Sequence, residues 1–193
     1  MTDPLPLRER KRRRAQEAIV DAAYALFAER GFADVTVTEI AERAEVGRTT
    51  FFRYFGDKRE VLFVEEQSLL DALRADATPP AKAPTVREAL ELGRLAVGAM
   101  CAAVTADRER YRLHEKLVAE NEELHDRSER KLLNLTETMA DRLRGQGMPP
   151  AEASLAAHVG LACFRAGRTV AGDDPESLGP AVDAAFEALL RDW

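Results

Sequence analysis

Arg48, Thr49, Thr50, Phe52 and Arg53 lie within six residues of one another and bring together side chains that suit the edges of DNA bases. A guanidinium forks onto the acceptors of guanine, and a threonine methyl or a phenyl ring meets the thymine methyl. Upstream, Arg8, Arg10, Lys11, Arg12, Arg13 and Arg14 put six cations into seven residues. At a helix start such charges oppose the dipole and repel one another, and a polyanion relieves both. Arg12, Arg13 and Arg14 are therefore candidates for phosphate or minor-groove contact. No nucleophile is paired with a base, no carboxylates pair on an apolar face, and no glycine-rich phosphate loop occurs, so a helical enzyme is the weaker alternative.

His114 and His125, with Glu115 and Glu122 nearby, match no metal-ligand spacing, and a helix break expected near Asn121 separates them. Neither a metal nor a cofactor is expected. Cys101 and Cys163 are too few for a disulfide framework and read as small buried residues of a reducing cytosol. The chain has 193 residues, 46% of them hydrophobic, and a net charge of −6. That is enough for a core, and the acidic excess lies beyond residue 60. The apolar run from Leu95 to Val104 falls short of the ~20 residues of a membrane span, and the N-terminus lacks the apolar stretch of a signal peptide. A cytoplasmic protein with no membrane partner is expected.

The elements that would position the cations are helices. Ile19, Ala22, Ala23, Leu26 and Phe27 follow one helix face, and Gly31 ends it. Thr36 and Glu39 form a capping box, with Val35 and Ile40 as a hydrophobic staple, so a second helix starts at Val37 and ends near Ala44. The segment from Arg48 to Phe55 is rich in β-branched and aromatic residues and needs tertiary packing to be helical. Asp57 is placed to cap a fourth helix from Lys58 to about Ala77, followed by Pro79, Pro80 and Pro84. Five more helices are expected over 85–105, 107–119, 122–144, 150–170 and 179–192. The fold class is all-α with about nine helices: a basic arm (1–14), a three-helix unit (15–57), and a helical bundle (58–193) entered through the fourth helix.

Small and apolar residues at Ile40, Ala41, Ala44, Val46, Phe51 and Phe55 suit a helix-turn-helix, with Arg48, Thr49, Thr50, Phe52 and Arg53 outward on its second helix. The run Thr36-Val-Thr-Glu-Ile-Ala-Glu-Arg-Ala-Glu-Val-Gly-Arg-Thr-Thr-Phe-Phe-Arg-Tyr-Phe-Gly-Asp-Lys58 resembles the DNA-binding signature of the TetR family of regulators. The resemblance implies a homodimer, usually a repressor, that leaves operator DNA when a ligand enters the C-terminal core. It extends the DNA-binding set to Thr38, Tyr54 and Lys58, the last as a phosphate seat at the start of the fourth helix. Two positions depart from the pattern. Glu45 stands where glycine is usual, and Phe52 replaces a tyrosine whose phosphate contact Tyr54 would take over.

In the C-terminal portion, small residues such as Ala156, Ala157, Gly160, Ala166 and Gly167 mark one helix, and Ala181, Ala184, Ala185 and Ala188 the next. They permit close approach, and the resemblance implies that these last two helices pair with their symmetry mates. Apolar faces including Leu92, Leu95 and Leu143 read as core. By resemblance a ligand cavity lies among the fourth to eighth helices, with candidates Met100, Cys101, Val104, Tyr111, His114, Leu117, Leu135, Thr136, Met139 and Phe164. They suit an apolar or amphipathic small molecule. The fourth helix, with Val61, Leu62, Leu69, Leu70 and Leu73, is expected to link ligand to DNA. An architectural DNA-binding protein without ligand control is the other alternative, but it leaves about 110 residues unexplained.

Overall fold

The computed structural model describes residues 7–64, 67–68, 70 and 83–191. Among them are eight α-helices and no strand, against about nine helices expected. Contacts divide the chain into two compact units, one ending at Val64 and one beginning at Glu65.

In the first unit, α1 (Leu7–Arg30) buries Ile19, Ala22, Ala23, Leu26 and Phe27, the face its spacing required. It ends at Gly31, whose φ of 78° lets its N–H reach the Phe27 carbonyl at 2.9 Å. The basic segment expected as a separate arm is helical from Leu7 onward. Arginine, lysine and glutamate are good helix formers, and Arg13 pairs with Glu17 one turn on at 3.7 Å.

Helix α2 (Val37–Arg43) opens with the expected capping box: the Thr36 amide donates to Glu39 at 2.8 Å, and the Glu39 amide donates to the Thr36 hydroxyl at 3.3 Å. Val35 and Ile40 are buried as its staple. Arg30 pairs with Glu39 at 2.9 Å and Arg43 with Glu29 at 2.7 Å, tying α2 to the end of α1. The Arg30 bond, and after it the Thr36 bonds, hold the Glu39 carboxyl down to about 2. Its stabilising contribution is therefore present above the usual carboxylate range and is lost only as pH falls toward that value.

Helix α3 (Arg48–Tyr54) is followed by a 3₁₀ turn, Glu60–Phe63, at the start of the span expected as the fourth helix, within which Val64, Gln67, Ser68 and Leu70 are α-helical. Asp57 caps this segment as expected: one carboxylate oxygen accepts from the amides of Arg59 (2.8 Å) and Glu60 (3.2 Å). The other accepts from the Arg59 guanidinium at 2.9 and 2.6 Å. Val61, Leu62 and Phe63 are all buried and the turn packs on α1, so the first unit runs seven residues past the expected limit at 57. Most of the expected fourth helix, including Leu69 and Leu73, lies outside the described residues, and with it the link it was to provide.

The second unit contains α4 (Val86–Val104), α5 (Arg108–Glu120), α6 (Glu122–Gly145), α7 (Pro150–Ala171) and α8 (Pro175–Arg191). Thr85 and Glu88 form a second capping box, and Asp107 caps α5 by accepting from the Arg110 amide at 3.0 Å. Helix α8 starts four residues before the expected Gly179, because the Asp174 carboxylate takes the Glu176 amide at 3.1 Å and Pro175 suits a first turn. Leu90, Cys101, Tyr111, Leu178, Val182 and Phe186 form the main core. Leu92 and Leu95, expected in the core, are 59% and 71% exposed. Ala89, Leu90 and Cys101 take the inner stripe of α4, and Leu92 and Leu95 fall outside it. Among the described residues no single helix is long and apolar enough to cross a membrane.

Helices α7 and α8 cross closely at Gly167, where an added Cβ would stand 2.4 Å from the Val182 Cα. Gly160, by contrast, has only the Phe186 ring at 4.0 Å. Gly167→Ala is expected to cost about 1–3 kcal/mol in chemical unfolding, as overpacking against a backbone does. Gly160→Ala serves as the tolerated control.

Candidate functional site

The seven residues of α3 carry their own support and their own display. Phe51 and Phe55 are buried with ring centroids 5.7 Å apart, while Arg48, Thr49 and Arg53 are exposed, Phe52 is 48% exposed and Thr50 is half-buried. All five expected base-reading side chains therefore start from one short helix. Its register is set by the turn from α2: the Val46 amide donates to the Ala41 carbonyl at 2.9 Å and the Glu45 amide to the Glu42 carbonyl at 3.1 Å. This is a Schellman closure, and it needs a left-handed residue, which is Glu45 at φ 54°. The departure from glycine noted in the sequence falls on the one non-glycine residue with positive φ among those described.

Tyr54 is half-buried and turned to its neighbour: Arg53 donates to its hydroxyl at 3.3 Å and lies 5.0 Å from its ring centroid. Thr38, in the first turn of α2, is half-buried; Arg12, Arg13 and Arg14 are exposed on the first turns of α1. Lys58 is held within the domain. Its ammonium donates to the carbonyls of Phe32 (2.6 Å), Val35 (2.9 Å) and Ala33 (3.2 Å), and the Arg59 and Glu60 amides beside it belong to Asp57.

The second unit holds an apolar cavity of about 80 Å³ between α4, α6 and α7. Of the ten expected ligand residues, Met100, Leu135, Thr136, Met139 and Phe164 line it. The other five do not: Tyr111, His114 and Leu117 are on α5, from which no lining residue comes, and Cys101 and Val104 sit at the far end of α4 and turn to the main core. Cys101 and Tyr111 belong to the main core, Val104 packs against that core, Leu117 is buried elsewhere, and His114 is half-buried on α5. Burial raises the Cys101 thiol to about 11, and the Tyr111 hydroxyl, also shifted up by burial, is 3.3 Å from the Gly172 carbonyl. Thr136 is the only polar side chain in the lining, and its hydroxyl donates to the Leu132 carbonyl at 2.9 Å. Sequence reasoning missed Gly93, Ala96, Ala157 and Gly160, whose smallness creates the space. The signal was visible, but the small residues of α7 were assigned to helix approach alone.

A supported short helix displaying cations, joined by a tight turn to a capped helix, defines a helix-turn-helix DNA-binding domain. Residues 19–64 match the family described as "Bacterial regulatory proteins, tetR family". It is 33% identical over 109 residues to the HTH-type transcriptional regulator HbdR of Aromatoleum sp. (strain CIB), covering 56% of this chain and 44% of that protein. The chain spans less than half the length of the curated relatives it matches. Its fold resembles that of SmeT from Stenotrophomonas maltophilia in a triclosan complex, with TM-score 0.59, 22% identity, and 92% and 90% of the two chains covered. Thermus thermophilus FadR, a repressor solved with lauroyl-CoA, gives TM-score 0.51, 22% identity, and 91% and 93% coverage.

Glu45→Gly is expected to stabilise the protein by about 0.5–1 kcal/mol, the relief of left-handed strain less the extra entropy of glycine. Thermal unfolding checks this, and DNA affinity should stay within twofold because no displayed side chain changes.

Proposed function

We propose that the protein is a cytoplasmic, ligand-responsive transcriptional regulator, a repressor that binds a palindromic operator as a homodimer and leaves it when an apolar or amphipathic small molecule is bound. The observation that carries this reading is α3: an exposed set of Arg48, Thr49, Phe52 and Arg53 on a helix whose other face is buried. Arg48 and Arg53 are assigned to base edges, Thr38, Thr49, Thr50, Phe52 and Tyr54 to neighbouring base or backbone contacts, and Arg12, Arg13 and Arg14 to phosphates.

Dimerisation is assigned to α7 and α8. Leu155, Val159, Ala162, Ala166 and Val170 repeat at helical spacing along α7; four of them are exposed, Val170 to 79%, and Val159 is half-buried. Ala184 and Ala188 are exposed on α8. A stripe of small and apolar side chains on paired helices favours a symmetric helix-to-helix contact.

Ligand control is assigned to the cavity lined by Met100, Leu135, Thr136, Met139 and Phe164. Its 80 Å³ is smaller than the ~150 Å³ apolar cavity that accepts benzene, so entry requires movement, for which the two methionines are suited. SmeT with triclosan and FadR with lauroyl-CoA are folds of this kind that hold ligands with large apolar parts.

The test begins with duplexes selected by the protein from a random pool, footprinted for dyad symmetry. Replacing Arg12, Arg13 and Arg14 with glutamine should weaken binding to all sequences and flatten its salt dependence, whereas Arg48→Ala or Arg53→Ala should cost about 1–3 kcal/mol at one base pair per half-site. An unchanged salt slope in the first variant would remove the arm from the interface. A lipophilic compound found by thermal shift should bind more weakly with the selected duplex present, with a coupling of about 1–3 kcal/mol in both directions. Gly160→Leu should abolish that compound's binding and leave DNA binding intact. Equal ligand affinity with and without DNA favours the architectural alternative.

A further inference from the structure

We propose that Lys58 serves operator recognition from inside the domain, as a clasp on the turn entering α2, and not as a cation for DNA phosphate. This rests on the reading of α3 as the DNA-contacting helix. An ammonium has three donors, and here they meet the carbonyls of Phe32, Val35 and Ala33 at 2.6, 2.9 and 3.2 Å. The same nitrogen stands 4.3 Å from the centroid of the Phe32 ring, whose face attracts a cation.

The three carbonyls belong to the turn between Gly31, which ends α1, and Thr36, which caps α2. A turn of this kind has no ladder to satisfy its carbonyls, and Lys58 supplies the missing donors from 23 to 26 residues away. The clasp is anchored at its base, since Asp57 fixes the Arg59 amide and guanidinium on either side of the backbone that carries Lys58. The turn sets where α2 begins, and the Schellman closure at Glu45 sets α3 on α2, so the lysine acts on the DNA-facing helix through the segment before it. Lys58 is thus a positioning residue. Reaching for a phosphate would strip three charge-assisted bonds from a partly buried turn.

Arginine separates the two roles. Its planar fork binds phosphate at least as well as lysine does, but it does not match three carbonyls converging on one point. Lys58→Arg and Lys58→Met in the full chain are compared with the parent by thermal unfolding. Binding to a duplex selected by the parent protein, and to a random duplex of equal length, is then measured at several salt concentrations at a temperature where each variant is folded. Both variants are expected to unfold about 5 °C or more below the parent. Both should also lose about tenfold or more on the selected duplex while keeping random-duplex affinity and the salt slope.

Retained selected-duplex affinity in Lys58→Arg, or a salt slope in Lys58→Met reduced by about one phosphate, would overturn the proposal. A Lys58→Met chain that does not fold supports an internal role, and Lys58→Arg then decides between clasp and phosphate. Should no duplex be selected at all, the DNA reading fails, while the thermal comparison still tests the clasp.

Discussion

Two buried phenyl rings hold α3 in being, and the display of its other side chains depends on them. Seven residues are well below the length at which an isolated helix persists in water. Threonine, phenylalanine and tyrosine each add a propensity cost of roughly 0.5 kcal/mol. Burying Phe51 and Phe55 contributes roughly 1.5–3 kcal/mol apiece, enough to reverse that balance once α2 presents a surface to them. The capping box at Thr36, the staple of Val35 and Ile40, and the left-handed turn at Glu45 bring that surface into place. Recognition chemistry on α3 is therefore a consequence of packing on its opposite face.

Cations in this chain divide by what they touch. Arg30 and Arg43 link α2 to α1, Arg59 closes on Asp57, and Arg94 joins α4 to Asp183 and Glu187 of α8. Arg168 forks onto Glu115 between α7 and α5 at 2.9 to 3.2 Å. Arg48 and Arg53 stand exposed on α3, the latter beside Tyr54. A run of arginines in sequence carries no label for these fates; the nearest carboxylate or carbonyl in three dimensions decides.

In the second unit, small residues do two opposite things. At Gly167 the absent side chain lets α7 and α8 approach until backbone meets side chain, which leaves no space. At Gly93, Ala96, Ala157 and Gly160 the same smallness is not matched by approach, and an apolar void remains between α4, α6 and α7. The void can stay dry because Thr136 turns its hydroxyl onto its own helix.

The local signals were legible in the sequence. The capping box at Thr36, the glycine stop at Gly31 and the buried face of α1 came out at their expected residues, because each depends on atoms within a few positions. So did the helix-turn-helix and its outward side chains, since its packing positions recur at fixed spacing. What needed the tertiary structure was every choice among equivalents: which residues of α4 are buried, which five of ten pocket candidates meet, and which carbonyls the Lys58 ammonium reaches. A side chain's local propensity is written in its own neighbourhood, but its partner lies 20 or more residues away, as Lys58 and Phe32 do. Only the folded chain brings such a pair within hydrogen-bond distance.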